Sequence, residues 1–357
     1  MSFKKYKKTF SLIFIVLSAI TMLFILFKND DLINLFKVVK NIDLNYIILA
    51  LLFIFIFWFI EATLIYALII KFTDRKKNLK NFWLAMKVTM IGQYYSNITP
   101  MATGGQPVQL YLLKDDNISL SNGTAILISK FLLFQIGVTI YSVCLALYKI
   151  KLLLNYYNSA SVFVIAGLII NMIMLTTILL IAFNQQILSK ISASIYNFLF
   201  KIHVIKDTKK LIDKTENFIS EYKESIGKLR EDYWFTIKMY AVSFLQLTVY
   251  FSTTFFVYKS FNLNESNIID IICLQSFLYM AVSFIPTPGT AGASEIGFLL
   301  LFGHLFPANI ISTALLLWRG INYYFSLIFS GIFSFTITAI RNKKIIINWL
   351  KVLLFYY

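Results

Sequence analysis

The sequence has few of the residue types on which soluble enzymes and disulfide-stabilised proteins depend. Two histidines and two cysteines occur in 357 residues, and only 14% of the residues are charged. Cys144 and Cys273 lie far apart inside apolar stretches, so the sequence predicts neither a disulfide framework nor a metal site. It contains no phosphate-binding glycine loop, His-Glu-x-x-His or Gly-x-Ser-x-Gly motif. We therefore expect no cofactor, no bound metal and no histidine-based catalysis.

Apolar residues dominate what the chain does contain. Hydrophobic residues make up 59% and aromatic residues 17% of the sequence, a composition typical of polytopic membrane proteins. The formal charge of +16 could suggest a nucleic-acid partner, but the lysines form short clusters between apolar stretches and no continuous basic face. The basic residues therefore fit a membrane surface better than nucleic acid.

Several apolar runs are long enough to cross about 30 Å of hydrocarbon. These runs cover residues 9–27, 45–70, 124–148, 160–183, 235–258 and 309–339. The first run resembles a signal peptide, but no small-residue cleavage site follows it, so we interpret it as a transmembrane helix. The sequence predicts an all-α fold, a polytopic transmembrane helix bundle that forms a single integral membrane domain over residues 1–357.

Clusters of lysine and arginine orient these helices, because such clusters stay on the cytoplasmic side of the cell membrane. They lie at residues 4–8, 75–80, 184–233 and 341–344. Both termini are therefore expected in the cytoplasm. With this orientation, segment 82–113 must leave the cytoplasmic side and return to it, whereas segment 268–306 must begin and end outside. Each is expected to be a re-entrant or broken-helix hairpin.

The two hairpin segments share a motif. Thr99-Pro100-x-x-x-Gly104-Gly105 recurs as Thr287-Pro288-x-x-x-Gly292-Ala293, and Pro286 and Gly289 flank Pro288. Proline and glycine interrupt helices, and the freed backbone groups are tolerated at membrane depth only where protein or a water-filled cavity satisfies them. Interrupted segments in two oppositely oriented halves indicate an inverted-repeat transporter with its site where the hairpin tips meet. The alternative is a chance match of a few residues.

The most polar stretch, 184–233, keeps apolar residues at helical spacing with charges between them. Two amphipathic helices at the cytoplasmic surface would give this pattern. Because its charges nearly balance, a solvated linker between two halves of the bundle is the alternative.

Three ionisable residues interrupt apolar runs: Glu61, Glu295 and Arg319. A charge near the bilayer centre costs about 2.5–3.5 kcal/mol on insertion scales, so such residues usually pair inside the bundle or line a substrate path. We expect Arg319 to pair with Glu295 or Glu61. The pair could be a static tie between helices, or part of a lipid-headgroup site, since the planar guanidinium binds phosphate bidentately.

Amides supply a second set of candidate headgroup ligands. Gln106 and Gln109 give the first hairpin hydrogen-bonding groups without net charge, although they could equally satisfy the broken backbone. Lys87 and Lys130 lie nearer the expected cytoplasmic ends of their helices, and we expect them to extend toward the interface.

At these residues the chain resembles the membrane domain of the lysylphosphatidylglycerol synthases, a flippase-like domain also found as stand-alone bacterial and archaeal proteins. The resemblance covers nearly the whole chain. It rests on three segments in the right order, "NITPMATGGQPVQLYLLK", "FIPTPGTAGASEIGFLLLFG" and "LLLWRGINYYFSL". Many relatives carry an acidic residue where this chain has Gln106, so a role of that carboxylate does not carry over.

In the full-length synthases a cytoplasmic domain transfers lysine from tRNA to phosphatidylglycerol, and the membrane domain is thought to translocate the product. The resemblance implies a flippase-like protein that handles a phosphatidylglycerol-type or polyprenyl-phosphate-type lipid. One alternative is the phosphatidylglycerol lysyltransferase itself, which confers resistance to cationic peptides and would bring a tRNA partner. Another is a scaffold for a separate cytoplasmic transferase. Because the chain ends at Tyr357, we expect the membrane part without a transferase domain.

Overall fold

A computed structural model describes residues 40–148, 158–184, 189–190, 194 and 209–355. Over these residues the chain is helical apart from turns and short connections, which confirms the predicted all-α bundle. In chain order the helices are α1 Leu44–Thr73, α2 Leu79–Asn97, α3 Gly105–Asp115, α4 Leu120–Tyr148, α5 Asn158–Phe183, α6 Lys209–Glu231, α7 Tyr233–Ser260, α8 Ile268–Val282, α9 Ala293–Phe302, α10 Ile311–Arg319 and α11 Ser326–Phe355. A π-helical turn, Gly320–Phe325, joins α10 to α11.

The predicted membrane-crossing runs from 45 onward coincide with α1, α4, α5, α7 and the continuous α10–α11. Within the described residues, four helices are long and apolar enough to cross a membrane: Leu44–Thr73, Leu120–Tyr148, Tyr233–Ser260 and Ile311–Ile340. Each has 28 to 30 residues, hence about 42–45 Å at 1.5 Å per residue. The run at 9–27 lies outside the described residues.

Polar residues fix where these helices begin. The first N–H groups of a helix have no partner within it, and a preceding Asp or Asn side chain can accept one of these hydrogen bonds. Asp43, Asn78, Asp232 and Asn267 do so for α1, α2, α7 and α8. The apolar runs are thus delimited by short polar caps, and these caps mark where the helices begin.

Helices α1 and α7 form an antiparallel pair that defines the two ends of the bundle. At one end the Asp43 N–H donates to the Ser260 carbonyl at 2.9 Å. At the other end the Lys71 Nζ lies 2.6 Å from Asp232 Oδ2. Lys71 and the Phe235 N–H both bond the Asp232 carboxylate, which lowers the pKa of this group below its usual value of 3.8.

The two hairpins enter the bundle from opposite ends. Arg75, before α2, contacts Asp116, after α3, with Nη1 and Oδ1 2.8 Å apart, so the first hairpin begins and ends near Lys71. The second hairpin begins and ends near Ser260, where the rings of Phe261 and Phe306 are 6.0 Å apart. The broken-helix hairpins expected at 82–113 and 268–306 are therefore α2–α3 and α8–α9.

One amphipathic helix, α6, is described within the polar stretch 184–233. Its apolar residues Ile219, Tyr222 and Ile226 are buried, the last two in a cluster with α1 and α4, and Lys228 Nζ lies 3.1 Å from Asp74 Oδ2. Burial raises the pKa of Tyr222 to about 12. Helix α6 is thus attached to the bundle along its apolar face. The first of the two amphipathic helices expected there falls largely outside the described residues.

Candidate functional site

The tips of the two hairpins meet inside the bundle. Pro100 and Pro288 form an isolated antiparallel backbone bridge. A further contact joins the first break to the last span, because the Tyr323 hydroxyl donates to the Asn97 carbonyl at 3.2 Å. Both interrupted segments therefore contribute to one site, where the two halves of the chain meet.

The two breaks have the same local structure. In the first, the Thr103 N–H donates to the Pro100 carbonyl at 3.1 Å, and the intervening Met101 and Ala102 have φ of 52° and 54°. In the second, the equivalent bond joins residues 291 and 288 at 3.3 Å, and residues 289 and 290 have φ of 57° and 55°. The shared sequence motif thus encodes a shared turn.

The arrangement of the halves supports the inverted-repeat hypothesis. Each half consists of a long helix, a broken hairpin and another long helix: α1, α2–α3 and α4, then α7, α8–α9 and α10–α11. A twofold relation brings equivalent residues together at its axis, as the Pro100–Pro288 bridge does. Because the hairpins enter from opposite ends, the relation is the inverted kind found in many secondary transporters.

The glycines in and beside the motif have different roles in the two breaks. Gly289 and Gly292 have positive φ, and a Cβ on Gly289 would lie 2.1 Å from Tyr323 Cε2. In the first break the positive φ falls on Met101 and Ala102, which the sequence did not signal. Gly105 is needed there for packing, because a Cβ on it would lie 2.0 Å from Ser96 Oγ.

A threonine hydroxyl satisfies freed backbone groups in the first break, and the prolines of the second break lie outside its helices. Thr99 Oγ1 donates to the Tyr95 carbonyl at 2.7 Å and accepts from the Gly104 N–H at 2.8 Å. The hydroxyl thereby satisfies one carbonyl freed at the end of α2 and one N–H at the start of α3. In the second break, Pro286 and Pro288 lie between α8 and α9, where neither removes a hydrogen bond from a helix.

Arg319 pairs with Glu295, one of its two expected partners. Its Nε donates to Glu295 Oε1 at 2.6 Å and its Nη1 to the Gly289 carbonyl at 3.0 Å. Glu295 Oε2 accepts from the Gly292 N–H at 2.7 Å and so also caps α9. Both ionised side chains are 4% exposed. The pair therefore connects the second break to the last span.

One nitrogen of the Arg319 guanidinium, the buried Nη2, has no hydrogen-bond partner. The Arg319 guanidinium carbon lies 4.9 Å from the centre of the Tyr323 ring, within the range of a cation–π contact. Arg319 also lines the cavity between the two breaks, termed the central cavity, so this residue has hydrogen-bonding capacity for a ligand there.

Glu61 belongs to a second ion pair, with Lys130. The expectation that Lys130 extends toward the interface is wrong. Its side chain is only 20% exposed and lines the central cavity opposite α1. We predicted the position of Lys130 from its distance to the end of the apolar run. That distance does not show which neighbouring helix the side chain faces.

A cavity of about 530 Å³ lies between the two breaks and the spans. Its polar lining includes Glu61, Gln93, Ser96, Asn97, Thr103, Gln106, Gln109, Lys130, Gln135, Gln246, Tyr250, Gln275, Tyr279, Thr287, Thr290, Ser294, Arg319, Asn322, Tyr323 and Ser326. The volume falls within the roughly 300–1,000 Å³ typical of small-molecule sites. It is an open pocket rich in hydrogen-bonding groups between otherwise apolar helices.

Both glutamines singled out from the sequence line this cavity. Gln109 is buried, donates to the Val88 carbonyl at 3.2 Å, and packs so closely on Gly92 that a Cβ there would lie 2.2 Å from its Nε2. Gln106 is exposed and lies at the edge. Amides in the other elements, such as Gln135, Gln246 and Gln275, were missed, although an amide inside an apolar run was the available signal.

The site has the groups needed to bind and orient an anion. Among the described residues no group of three or more His, Cys, Asp or Glu side chains is placed to hold a metal ion. The cavity instead combines one partly unpaired guanidinium, an ion pair and many uncharged donors and acceptors. Such a set suits an anionic group that carries polar substituents.

Comparison with known proteins relates the chain to a protein family. Residues 11–330 match the family model described as the lysylphosphatidylglycerol synthase TM region, a range that includes both breaks and Arg319. The chain is also similar to a UPF0104 membrane protein of Archaeoglobus fulgidus, with 24% identity over 341 residues, or 92% of this chain and 97% of that protein. No solved structure matches the chain.

Proposed function

The chain belongs to the lysylphosphatidylglycerol synthase transmembrane family, and from that premise we propose that it translocates a phosphate-bearing lipid across the cytoplasmic membrane. The headgroup enters the central cavity while the acyl chains stay in the bilayer. Arg319 binds the phosphate, and Glu61, Glu295, Gln106 and Gln109 position it. The lipid is of the phosphatidylglycerol or polyprenyl-phosphate type.

The observation that carries this proposal is the unpartnered Nη2 of Arg319. A buried polar group without a hydrogen bond costs about 1–3 kcal/mol, and more when it is charged. Because Glu295 and the Gly289 carbonyl hold Nε and Nη1, the remaining N–H groups are fixed in direction. A phosphate oxygen in the cavity would supply the missing acceptor and a charge of the right sign.

Entry of the hairpins from opposite ends supports translocation over simple binding. Each hairpin leads from one end of the bundle to the same central cavity, so a headgroup can approach along either. In inverted-repeat transporters, rocking of one half against the other exposes such a site to each side in turn. The Pro100–Pro288 contact is where the halves would move relative to each other.

A leaflet-resolved assay tests the proposal. The full chain is reconstituted in vesicles with phospholipid fluorescently labelled on an acyl chain, and arrival in the outer leaflet is followed with a membrane-impermeant quencher. Arg319→Ala and Arg319→Lys should each slow transfer at least about tenfold, since lysine keeps the charge but loses the planar fork. Lys259→Ala, which removes a cation outside the cavity lining, is the control and should leave transfer unchanged. Unchanged transfer in both Arg319 variants would refute the site.

The lysyltransferase alternative is tested in parallel. Membranes from cells that express only this chain are supplied with lysyl-tRNA and assayed for lysyl-lipid. Formation of product at a rate that depends on the chain would favour synthesis over translocation as its activity. Pull-down of a soluble transferase from native membranes, with no product from the chain alone, would favour the scaffold alternative.

A further inference from the structure

The glutamines are concentrated in a single place. Of the residues that the structure describes, every glutamine lines the central cavity. They come from five different helices, and they are Gln93, Gln106, Gln109, Gln135, Gln246 and Gln275. Burying an amide among apolar helices is unfavourable unless it finds partners, so this concentration calls for a polar occupant.

A second cavity shows that the amides do not simply fill space in the bundle. On the other face of α4 a cavity of about 490 Å³ is bounded by α4, α6 and the start of α7. Its described lining is mainly apolar, with hydroxyl groups but no amide side chain. Two cavities of similar size in the same protein therefore have different chemistry, and only the central one is suited to many hydrogen bonds.

Part of the amide hydrogen-bonding capacity is unused. Gln135 is 4% exposed, lines the cavity, and its Nε2 is buried with no partner. Gln93 and Gln109, in contrast, donate to Asn97 Oδ1 and the Val88 carbonyl. The N–H groups on Gln135 Nε2 therefore make no hydrogen bond that ties neighbouring helices together, which leaves them to an occupant of the cavity.

The charges in the cavity favour an occupant whose polar part is neutral. The charged side chains in its described lining are Glu61, Lys130 and Arg319, and Glu61 is already paired with Lys130. A cationic headgroup would have to displace Lys130 to reach that carboxylate. Amides provide donors and acceptors without net charge, which matches hydroxyl groups that are also both donor and acceptor.

Aromatic rings also line the central cavity, beside the amide side chains. Tyr250 and Tyr279 line the cavity with their ring centres 6.0 Å apart, and Tyr323 lies beside Arg319. A sugar presents hydroxyl groups around an apolar C–H face, and amides with aromatic rings match both. We propose that the lipid phosphate carries a sugar-type, uncharged polyhydroxyl headgroup, with Gln135 and Gln275 binding its hydroxyls. This inference rests on the proposed function and specifies its substrate class.

Binding of defined lipids to the purified full chain tests the inference. The probes share acyl chains and differ in headgroup: phosphatidylinositol carries a ring of hydroxyls, phosphatidylethanolamine a cation, and phosphatidic acid no headgroup beyond phosphate. Phosphatidylinositol should bind at least about tenfold more tightly than either of the others, the equivalent of one or two net hydrogen bonds. Equal affinities for phosphatidylinositol and phosphatidylethanolamine would overturn the inference.

The variant Gln135→Leu separates ligand binding from structural support. It should weaken phosphatidylinositol about tenfold, leave phosphatidic acid unchanged, and raise the Tm of the lipid-free protein, because a buried unsatisfied amide is replaced by an apolar group. Thr89→Val, another buried polar position but outside the cavity lining, is the matched control for stability. A lower Tm with equal loss of all lipids would assign Gln135 a structural role and overturn the inference.

The same experiment distinguishes failure of the inference from failure of the proposed function. If all three phospholipids bind equally and Arg319→Ala weakens them all, the phosphate site stands and the sugar-type headgroup is wrong. If none of them binds, or if Arg319→Ala leaves every affinity unchanged, the proposed function falls together with the inference.

Discussion

Pro100 and Pro288, one from each half of the chain, are joined by an antiparallel backbone bridge at the centre of the bundle. Each is followed by two residues of positive φ, so the bridge connects two equivalent turns. Neither half alone could form the cavity, because the polar groups that line it come from both hairpins and from the spans beside them. The functional unit is therefore the assembled pair of halves.

The bridge predicts a specific cross-link. Directly opposed residues of an antiparallel pair have Cα atoms about 4.5–5.5 Å apart, which is within the range that a disulfide spans. Pro100→Cys with Pro288→Cys, in a chain with Cys144→Ala and Cys273→Ala, should lose both free thiols on mild oxidation, as measured by maleimide labelling. Pro100→Cys with Pro307→Cys is the control, since Pro307 follows α9 at the open end of its hairpin. Equal labelling of the two pairs would contradict the contact.

The Arg319–Glu295 pair predicts strong energetic coupling. Glu295→Gln can still accept from the Gly292 N–H but leaves the guanidinium buried without its counter-ion, so it should destabilise the protein by about 3–5 kcal/mol. Thermal unfolding in detergent measures the effect. Adding Arg319→Met to Glu295→Gln should recover part of the loss. Additive losses in the double variant would show that the two side chains are not coupled.

Much of the architecture could be predicted because the bilayer limits the possible structures. Only helices long enough to cross hydrocarbon explain runs such as 45–70 and 235–258, and the structure has helices there. We predicted the two hairpins by counting how often the chain crosses the membrane between basic clusters. The prolines then indicated where the helices of each hairpin are interrupted. The cost of a buried charge likewise indicated that Arg319 would have an acidic partner.

The sequence could not predict which acidic residue pairs with which basic residue, because ion pairing depends on which helix faces are in contact. The spacing left Arg319 with two possible partners, and the structure resolves this by giving Glu295 to Arg319 and Glu61 to Lys130. The sequence also did not indicate which residues of the first break adopt positive φ. Left-handed backbone is expected at glycine, yet it falls on Met101 there, inside the turn that the Thr103 N–H closes by donating to the Pro100 carbonyl.

The Glu61–Lys130 pair predicts an asymmetric response to removal of one partner. Lys130→Met leaves a nearly buried carboxylate uncompensated, and we expect a loss near the lower end of about 3–5 kcal/mol, since the pair faces a cavity. Adding Glu61→Gln should restore part of the stability. A lysine that extended into the interface would cost within about 0.5 kcal/mol when replaced, so a negligible change in Tm would contradict the pairing.

The Lys71–Asp232 contact predicts a dependence of stability on pH. Because the folded state lowers the pKa of Asp232 below 3.8, the ionised carboxylate stabilises the fold at neutral pH, and this contribution is lost as the pH falls below about 4. The Tm difference between wild type and Asp232→Asn should therefore be largest near pH 7 and shrink in acid. Asparagine retains the cap on α7, so a difference that stays constant with pH would point away from charge.

Three glycines predict three different outcomes when each is replaced by alanine. At Gly289 the Cβ would combine positive φ with a 2.1 Å approach to the Tyr323 ring, so this variant should be the least stable. At Gly292 the φ is +86° and the ψ is −57°, a rare and strained combination for any residue with a Cβ, but no atom lies within 4 Å of that Cβ. Only the backbone strain, on the order of 1–3 kcal/mol, should therefore appear.

Gly227 is the matched control for these substitutions. It lies within α6, its φ is not positive, and a Cβ there would meet nothing within 4 Å, so alanine should stabilise the protein by up to about 1 kcal/mol through helix propensity. Thermal unfolding should order the Tm values as Gly227→Ala above wild type, then Gly292→Ala, then Gly289→Ala. Adding Tyr323→Leu should raise the Tm of Gly289→Ala only partly, because it removes the clash and leaves the strain. Equal Tm values for Gly289→Ala and Gly292→Ala would mean that Tyr323 does not pack against the second break, and the orientation of Arg319 above that ring would then lose its support.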